Sequence, residues 1–103
     1  MDKSKVIDKV KQYAYLVCDY FPVQKIILYG SYVKGTAGEN SDIDVAVIVD
    51  KIEGDFLESA AKLFNLTHDI DVSIEPVLFE LNSDDPSGFL EEIHRTGEIK
   101  YAN

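Results

Sequence analysis

Two carboxylates and a glycine-serine pair are the residues whose types and spacing best suit chemistry. Asp42 and Asp44 stand two positions apart at the head of one apolar run, and Gly30-Ser31 closes an earlier one. In a strand, residues i and i+2 point from the same face, about 7 Å apart along the chain. Two carboxylates so placed can bind a pair of divalent cations, which lie roughly 3.5–4 Å apart in two-metal sites. The pattern therefore predicts a metal site at Asp42 and Asp44.

The Gly30-Ser31 pair is typical of a turn that binds phosphate. Glycine allows positive φ and close approach of another group to the backbone, and Ser31 is suited to cap a short helix over residues 32–34. Backbone N–H groups at a helix start attract anions. Lys34 either meets a β- or γ-phosphate as a point charge or is an ordinary solvated lysine. We therefore predict a phosphate site that faces the carboxylate pair across one loop.

The order of these pieces resembles the signature of the nucleotidyltransferase superfamily, and especially its minimal members. In this chain Tyr29-Gly30-Ser31 is followed by ten residues, Tyr32 to Ser41, and then by Asp42-Ile43-Asp44. The alternative is a surface acidic pair beside a solvated turn. The resemblance implies that Asp42 and Asp44 bind metal and are catalytic. The residues that it assigns to the nucleotide are Gly30, Ser31, Lys34 and Ser41.

The same family has a third carboxylate, on a strand beside the strand of the first two. The segment from Ile70 to Glu75 alternates apolar and polar residues with period two, which predicts such a strand. Asp71 lies between two apolar residues and matches the family's motif. The resemblance therefore implies that Asp71 is the third catalytic and metal-binding residue, with Glu75 and Asp69 on the same face as alternatives.

Length and composition limit the classes of function. A chain of 103 residues suits one domain, residues 1–103. The net charge of −9 argues against direct nucleic-acid binding, because phosphate contacts need Lys and Arg. The single cysteine cannot form an intramolecular disulfide, and we find neither a signal peptide nor an apolar stretch near the roughly 18 residues of a membrane span. We therefore expect a cytoplasmic protein without a membrane segment.

The segments around the site predict the elements that position it. Two short apolar runs, residues 26–29 and 43–49, predict strands, and residues 99–101 predict a last one. Asp55, with Glu58 three positions on, predicts the cap of a second main helix. Asp85-Pro86 predicts the start of a third, which ends at Gly97. The first helix, which Pro22 stops, has an apolar stripe at helical spacing: Val6, Val10, Tyr13, Val17 and Tyr20.

These elements predict an α+β fold with α/β-like features. We expect a small mixed sheet of three to four strands flanked by about three to four helices. In the resemblance this is the core of a minimal nucleotidyltransferase.

The resemblance also implies an activity and a partner. Stand-alone minimal members are paired with a small helical HEPN protein, often as antitoxin to a toxin ribonuclease, and some transfer AMP to a tyrosine of that partner. We therefore expect a nucleotidyltransferase that uses two Mg²⁺ or Mn²⁺ ions. It would transfer a nucleoside monophosphate, AMP from ATP or the equivalent from another nucleoside triphosphate, to a hydroxyl of a HEPN partner within a hetero-oligomer.

Two alternatives remain open at the level of sequence. The first is a binding antitoxin with a vestigial site, which masks its partner through the wide apolar face of the first helix around Tyr13, Leu16 and Tyr20. The second is one subunit of a small-molecule nucleotidyltransferase of the antibiotic-modifying kind, whose substrate domain a second subunit would supply.

Overall fold

A four-stranded mixed sheet lies at the centre of the structure, a computed structural model that describes all 103 residues. β1 pairs antiparallel with both β2 and β4, and β2 pairs parallel with β3, which gives the order β3-β2-β1-β4. The strands are β1 (Val23–Tyr29), β2 (Ile43–Val49), β3 (Ile74–Glu80) and β4 (Glu98–Ala102). The predicted α+β architecture with a mixed sheet is confirmed.

Four helices flank this sheet, and a 3₁₀ turn at Leu66–Asp69 follows the third. They are α1 (Lys3–Cys18), α2 (Ser31–Lys34), α3 (Phe56–Asn65) and α4 (Phe89–Thr96). Asp55 caps α3 as predicted, since its carboxylate accepts a hydrogen bond from the Leu57 N–H at 3.0 Å. None of the helices combines the length and the apolar content that crossing a bilayer requires.

α1 and α3 cover one face of the sheet and enclose the main core. The Tyr13 hydroxyl donates a hydrogen bond of 2.6 Å to the Leu63 carbonyl and so joins the two helices. Tyr20 lies beyond the end of α1 and is half exposed. Tyr13 therefore cannot belong to the docking face that was predicted around Tyr13, Leu16 and Tyr20, because its side chain is fully buried in the core. The predicted stripe is otherwise confirmed by the fully buried residues Val6, Val10, Tyr13 and Val17.

α4 covers part of the opposite face with a smaller apolar cluster. Ile93 packs there against Ile27, Ala46 and Ile48. Gly97 ends the helix as predicted, but its backbone is extended rather than left-handed. A Cβ at position 97 would collide with the Ile27 side chain, so close packing explains the glycine.

The start of α4 differs from the prediction. The helix begins at Phe89 with Gly88 as its cap, not at Pro86. Asp85 still serves the helix start, because its carboxylate accepts a hydrogen bond from the Leu90 N–H at 2.8 Å. The chain therefore makes an extra turn before the helix begins.

The third strand also begins later than predicted, at Ile74 instead of Ile70. The Asp71 carboxylate accepts a hydrogen bond from the Ser73 N–H at 2.7 Å, and the Asp71 carbonyl accepts one from the Ile74 N–H at 3.1 Å. These bonds close a turn in which the side chain imitates the backbone, as Asp often does. β3 then continues through Pro76, which an edge strand tolerates because one side of it carries no ladder.

Candidate active site

Three side chains stand in a row across the sheet at the end where β2 begins. Tyr29 on β1 is paired with Asp44 on β2, and Asp44 is paired with Glu75 on β3. Residues directly opposite one another on adjacent strands present their side chains on the same face. This is the face that α4 partly covers, since Ile27 and Ala46, two positions further along their strands, belong to the α4 cluster. The row therefore brings Glu75 beside Asp44 although 30 residues separate them.

Gly30 lies directly against Asp44. Its φ is +79°, which L side chains rarely adopt, and a Cβ at this position would collide with Oδ2 of Asp44. Gly30 is also the cap of α2, so the turn between β1 and α2 lies against the Asp44 carboxylate. The glycine is therefore required twice, by the turn and by the neighbouring acidic group.

The carboxylates of the row repel one another. Partial burial first, and then the charges of Asp42 and Glu75, raise the pKa of Asp44 above its usual range. Burial together with Asp44 and Glu75 raises the pKa of Tyr29 to about 12. None of the carboxylates of Asp42, Asp44 and Glu75 takes part in an ion pair within the chain. The site therefore holds concentrated negative charge that an added cation would relieve.

The donor chemistry of this group fits a hard divalent cation. Carboxylate oxygens are the ligands that Mg²⁺ prefers, usually with waters and substrate phosphates completing its shell. The structure contains no group of three or more His, Cys, Asp or Glu side chains that could hold a metal ion by themselves. Asp42, Asp44 and Glu75 are thus the residues that would hold such an ion jointly with a substrate.

Asp71, the residue predicted to complete this group, is bonded elsewhere within the chain. Asp71 lies in the turn before β3, and Nζ of Lys9 on α1 donates to its Oδ2 at 2.5 Å. That bond, helped by the Ser73 N–H, holds the pKa of Asp71 below its usual range. Because α1 covers the face opposite to α4, the structure places Asp71 in the other layer. Asp69 is exposed in the 3₁₀ turn, which leaves Glu75 as the alternative that adjoins Asp44.

The residues predicted to bind nucleotide lie around the row. Ser31 is the first helical residue of α2, so Gly30 and not Ser31 is the cap. Lys34 is the last residue of the same helix and is exposed. The Ser41 hydroxyl accepts a hydrogen bond from the Gly38 N–H at 2.7 Å and closes the loop that leads to Asp42.

Tyr29 is a member of the row that was not predicted as a site residue. Its position was visible in the sequence as the last residue of an apolar run before Gly30. An apolar run does not reveal which of its residues face the site, however, so only the pairing with β2 identifies Tyr29.

Comparisons with known proteins identify the family and the fold of the chain. The family model described as polymerase beta, nucleotidyltransferase matches residues 9–103. No curated protein matches the chain. Among solved structures, a Sulfolobus solfataricus protein assigned provisionally as a nucleotidyltransferase is similar, with 14% identity and a TM-score of 0.71 over 98% of this chain and 84% of that one.

Two further similar structures come from toxin-antitoxin complexes. A chain of a toxin-antitoxin complex with AMP-PNP has 23% identity and a TM-score of 0.63, with 100% of this chain and 75% of that one covered. A chain from the complex of a tri-AMPylated Shewanella oneidensis HEPN toxin with its MNT antitoxin has 20% identity and a TM-score of 0.62, over 98% and 73%. At these identities the likeness shows the shared fold.

Proposed function

The chain belongs to the polymerase beta nucleotidyltransferase family, and from that premise we propose that it transfers AMP from ATP to a hydroxyl of a HEPN-family partner protein, with Mg²⁺ as cofactor. The observation that carries the proposal is the row that sets Glu75 beside Asp44, with Asp42 adding its charge. The partner is supported by similar chains in complexes of HEPN toxins with MNT antitoxins. The two proteins together form a hetero-oligomer.

In this proposal the carboxylates hold two divalent ions and the turn after β1 holds the triphosphate. Asp42 and Asp44 would hold the ions, and Glu75 takes the role first assigned to Asp71. The ions would neutralise charge on the α-phosphate and on the departing pyrophosphate. Ser31 and Lys34 contact the triphosphate tail, and Ser41 fixes the loop between that tail and Asp42.

The reaction is an in-line displacement at the α-phosphorus. The acceptor hydroxyl oxygen forms a bond to phosphorus, the bond to pyrophosphate breaks, and the hydroxyl proton passes to a carboxylate. Glu75 suits this general-base role because it stands at the outer end of the row and is exposed. Asp44 suits it less, because it is half buried between two other acidic groups.

Exposed apolar side chains on α3 favour a second candidate, in which the chain masks its partner without transfer. Phe56 is 49% exposed, Leu57 73% and Phe64 46%. Large apolar side chains that share one element are typical of a protein interface. Masking would then depend on α3, not on the face of α1 that was first predicted.

Labelled ATP separates the two candidates. The chain is co-expressed with its HEPN partner, and transfer of label to the partner is measured beside neutralisation of the partner's activity. We expect Asp42→Asn with Asp44→Asn to abolish both. Neutralisation by the double variant without label on the partner would reject transfer in favour of masking.

Matched controls test the assignment of the third carboxylate. Asp71→Asn removes an acidic group of the α1 layer, and Asp69→Asn removes an exposed one. We expect both variants to keep transfer, whereas Glu75→Gln loses it. The Phe56→Ala, Leu57→Ala pair should weaken partner binding only if α3 is the docking element.

A further inference from the structure

A groove between α2 and α4 opens directly beside the carboxylate row. Tyr29, Gly30 and Lys34 form one side of it, and α4 forms the other. It encloses about 160 Å³, less than the roughly 300–1,000 Å³ of pockets that bury a whole drug-sized ligand. The residues that α4 contributes are Phe89, Glu92, Ile93 and Thr96. The groove therefore has room for one part of a nucleotide.

The α4 side of this groove offers an aromatic surface. Phe89 is 40% exposed although it belongs to an aromatic cluster, with ring centroids 5.7 Å from Tyr29 and 6.1 Å from Phe79. Its neighbours hold the ring in place, so stacking a ligand on it costs little conformational entropy. Any nucleobase has a face that can stack on such a ring.

The two sides of the groove carry opposite charges. Lys34 stands on the α2 side next to the turn that is proposed to hold the triphosphate, and Glu92 stands on the α4 side. A carboxylate repels phosphate, but it accepts hydrogen bonds. The groove thus receives the base at α4 while the phosphates stay near Lys34.

On the basis of the proposed function, we propose that this groove binds the nucleobase of the triphosphate, stacked on Phe89, and that Glu92 selects a base with an exocyclic amino group. Adenine, guanine and cytosine have that donor and uracil lacks it. The larger stacking area favours the two purines among them. The groove thus assigns the donor as a purine nucleoside triphosphate.

Equilibrium binding of three probes in the presence of Mg²⁺ tests the assignment: ATP, UTP and inorganic tripolyphosphate. We expect ATP to bind about tenfold more tightly than tripolyphosphate through stacking, and about tenfold more tightly than UTP through the bond to Glu92. Phe89→Ala should remove the advantage over tripolyphosphate. Glu92→Gln should bring the ATP and UTP affinities together.

Controls keep the test valid if α4 is weakened. Phe89→Leu retains apolar contact with Tyr29 and Phe79 but removes the ring, and it should reproduce the loss for ATP. Tripolyphosphate binding should be unchanged in both Phe89 variants, which also verifies folding. Tyr15→Ala removes an exposed aromatic side chain from α1 and should change no affinity.

Equal wild-type affinities for the three probes would overturn the proposal, as would an equal loss of ATP and tripolyphosphate affinity in Phe89→Leu. Absence of transfer to the partner would instead reject the proposed function and leave these affinity ratios as they are. The two proposals therefore fail separately.

Discussion

The surroundings of Asp44 and Asp71 shift the pKa values of their carboxyl groups in opposite directions. Asp71 lies under α1, where Lys9 and the Ser73 N–H stabilise its charge and lower its pKa. Asp44 lies on the other face, where burial and two acidic neighbours raise its pKa. One carboxylate is therefore used by the chain itself, and the other is left with a charge that the chain does not neutralise.

The difference indicates which acidic residues are available to a ligand. A carboxylate that already accepts from a lysine and a backbone N–H loses those bonds if it turns to a cation, so binding would have to replace them. Asp42, Asp44 and Glu75 would gain from the same cation, because it removes their repulsion. The comparison thus supports Asp42, Asp44 and Glu75 as the metal-binding group and a structural role for Asp71.

The largest expected effect contrasts Glu75 with Asp71 in the transfer reaction. Glu75→Gln should lower the rate of label transfer by roughly a hundredfold or more, because metal-assisted charge stabilisation contributes several kcal/mol. Asp71→Asn should leave the rate near that of the wild type. Single-turnover transfer of labelled AMP to the partner measures both. The reverse result would return Asp71 to the site and break the comparison.

The next effect concerns Gly30. Gly30→Ala should destabilise the fold by about 1–3 kcal/mol through its backbone alone, because φ +79° with ψ −145° lies outside the left-handed helical region, in a conformation that is nearly confined to glycine. The loss should be larger still because the new methyl group collides with Asp44. Gly35→Ala is the control for a positive φ without a collision, since Gly35 has φ +78° in the left-handed helical region and open space around its Cα. Urea unfolding with and without Mg²⁺ measures the stability of both variants and how the metal changes it. If the two variants are equally stable and respond equally to Mg²⁺, Gly30 and Asp44 are not in close contact.

A smaller effect is expected at Asp71. Asp71→Asn should destabilise the fold by about 1 kcal/mol at neutral pH. This is the free energy of a charge-assisted hydrogen bond, reduced because a third of the Lys9 side chain is exposed to solvent. The folded pKa is lowered, so this stability is present above the unfolded value of about 3.9 and is lost as pH falls through the folded pKa. The difference in the free energy of unfolding between the wild type and Asp71→Asn should therefore be smaller in acid than at pH 7. A gap that persists in acid would assign the loss to the turn and not to the charge.

Much of this architecture follows from the sequence. β1 is an apolar run with clear ends at Pro22 and Gly30, and β2 is a second apolar run between Asp42 and Asp50. The stripe of α1 repeats at helical spacing, so local patterns suffice for these elements. The starts of β3 and α4 were not predicted correctly, because each depends on an aspartate side chain that accepts a hydrogen bond from a backbone N–H. Asp71 closes the turn that delays β3, and Asp85 reaches across an extra turn to α4.

The third carboxylate could not be fixed in the same way. Asp71 and Glu75 are four positions apart in the sequence, and residues an even number apart in one strand point to the same face. The alternating pattern therefore puts both on one face. The turn at Asp71 interrupts the alternation, and pairing with β2 then sets Glu75, and not Asp71, beside Asp44. Register between strands that are distant in sequence is a tertiary property, which the pattern of one strand does not contain.

The smallest expected effect has the opposite sign to that at Asp71. Asp44→Asn should stabilise the metal-free fold at neutral pH by up to about 1 kcal/mol, the range of partly exposed charge pairs, because it removes a repelled charge. The folded pKa of Asp44 is raised, so the ionised group costs stability above that pKa. The cost shrinks as pH falls through the folded pKa and vanishes below about 3.9, the unfolded value. Thermal unfolding from pH 7 into acid measures this gap.

Mg²⁺ should reverse the order of thermal stability of the wild type and Asp44→Asn. A hundredfold excess over Kd stabilises a binding-competent fold by about 2.7 kcal/mol, which exceeds the gain from Asp44→Asn, so the wild type should then melt at the higher temperature. Molar salt without Mg²⁺ should reduce the gap instead, because the Debye length falls to about 3 Å. A large loss of metal-free stability in Asp44→Asn would mean that Asp44 is bonded within the fold as Asp71 is, and the contrast between the two carboxylates would then disappear.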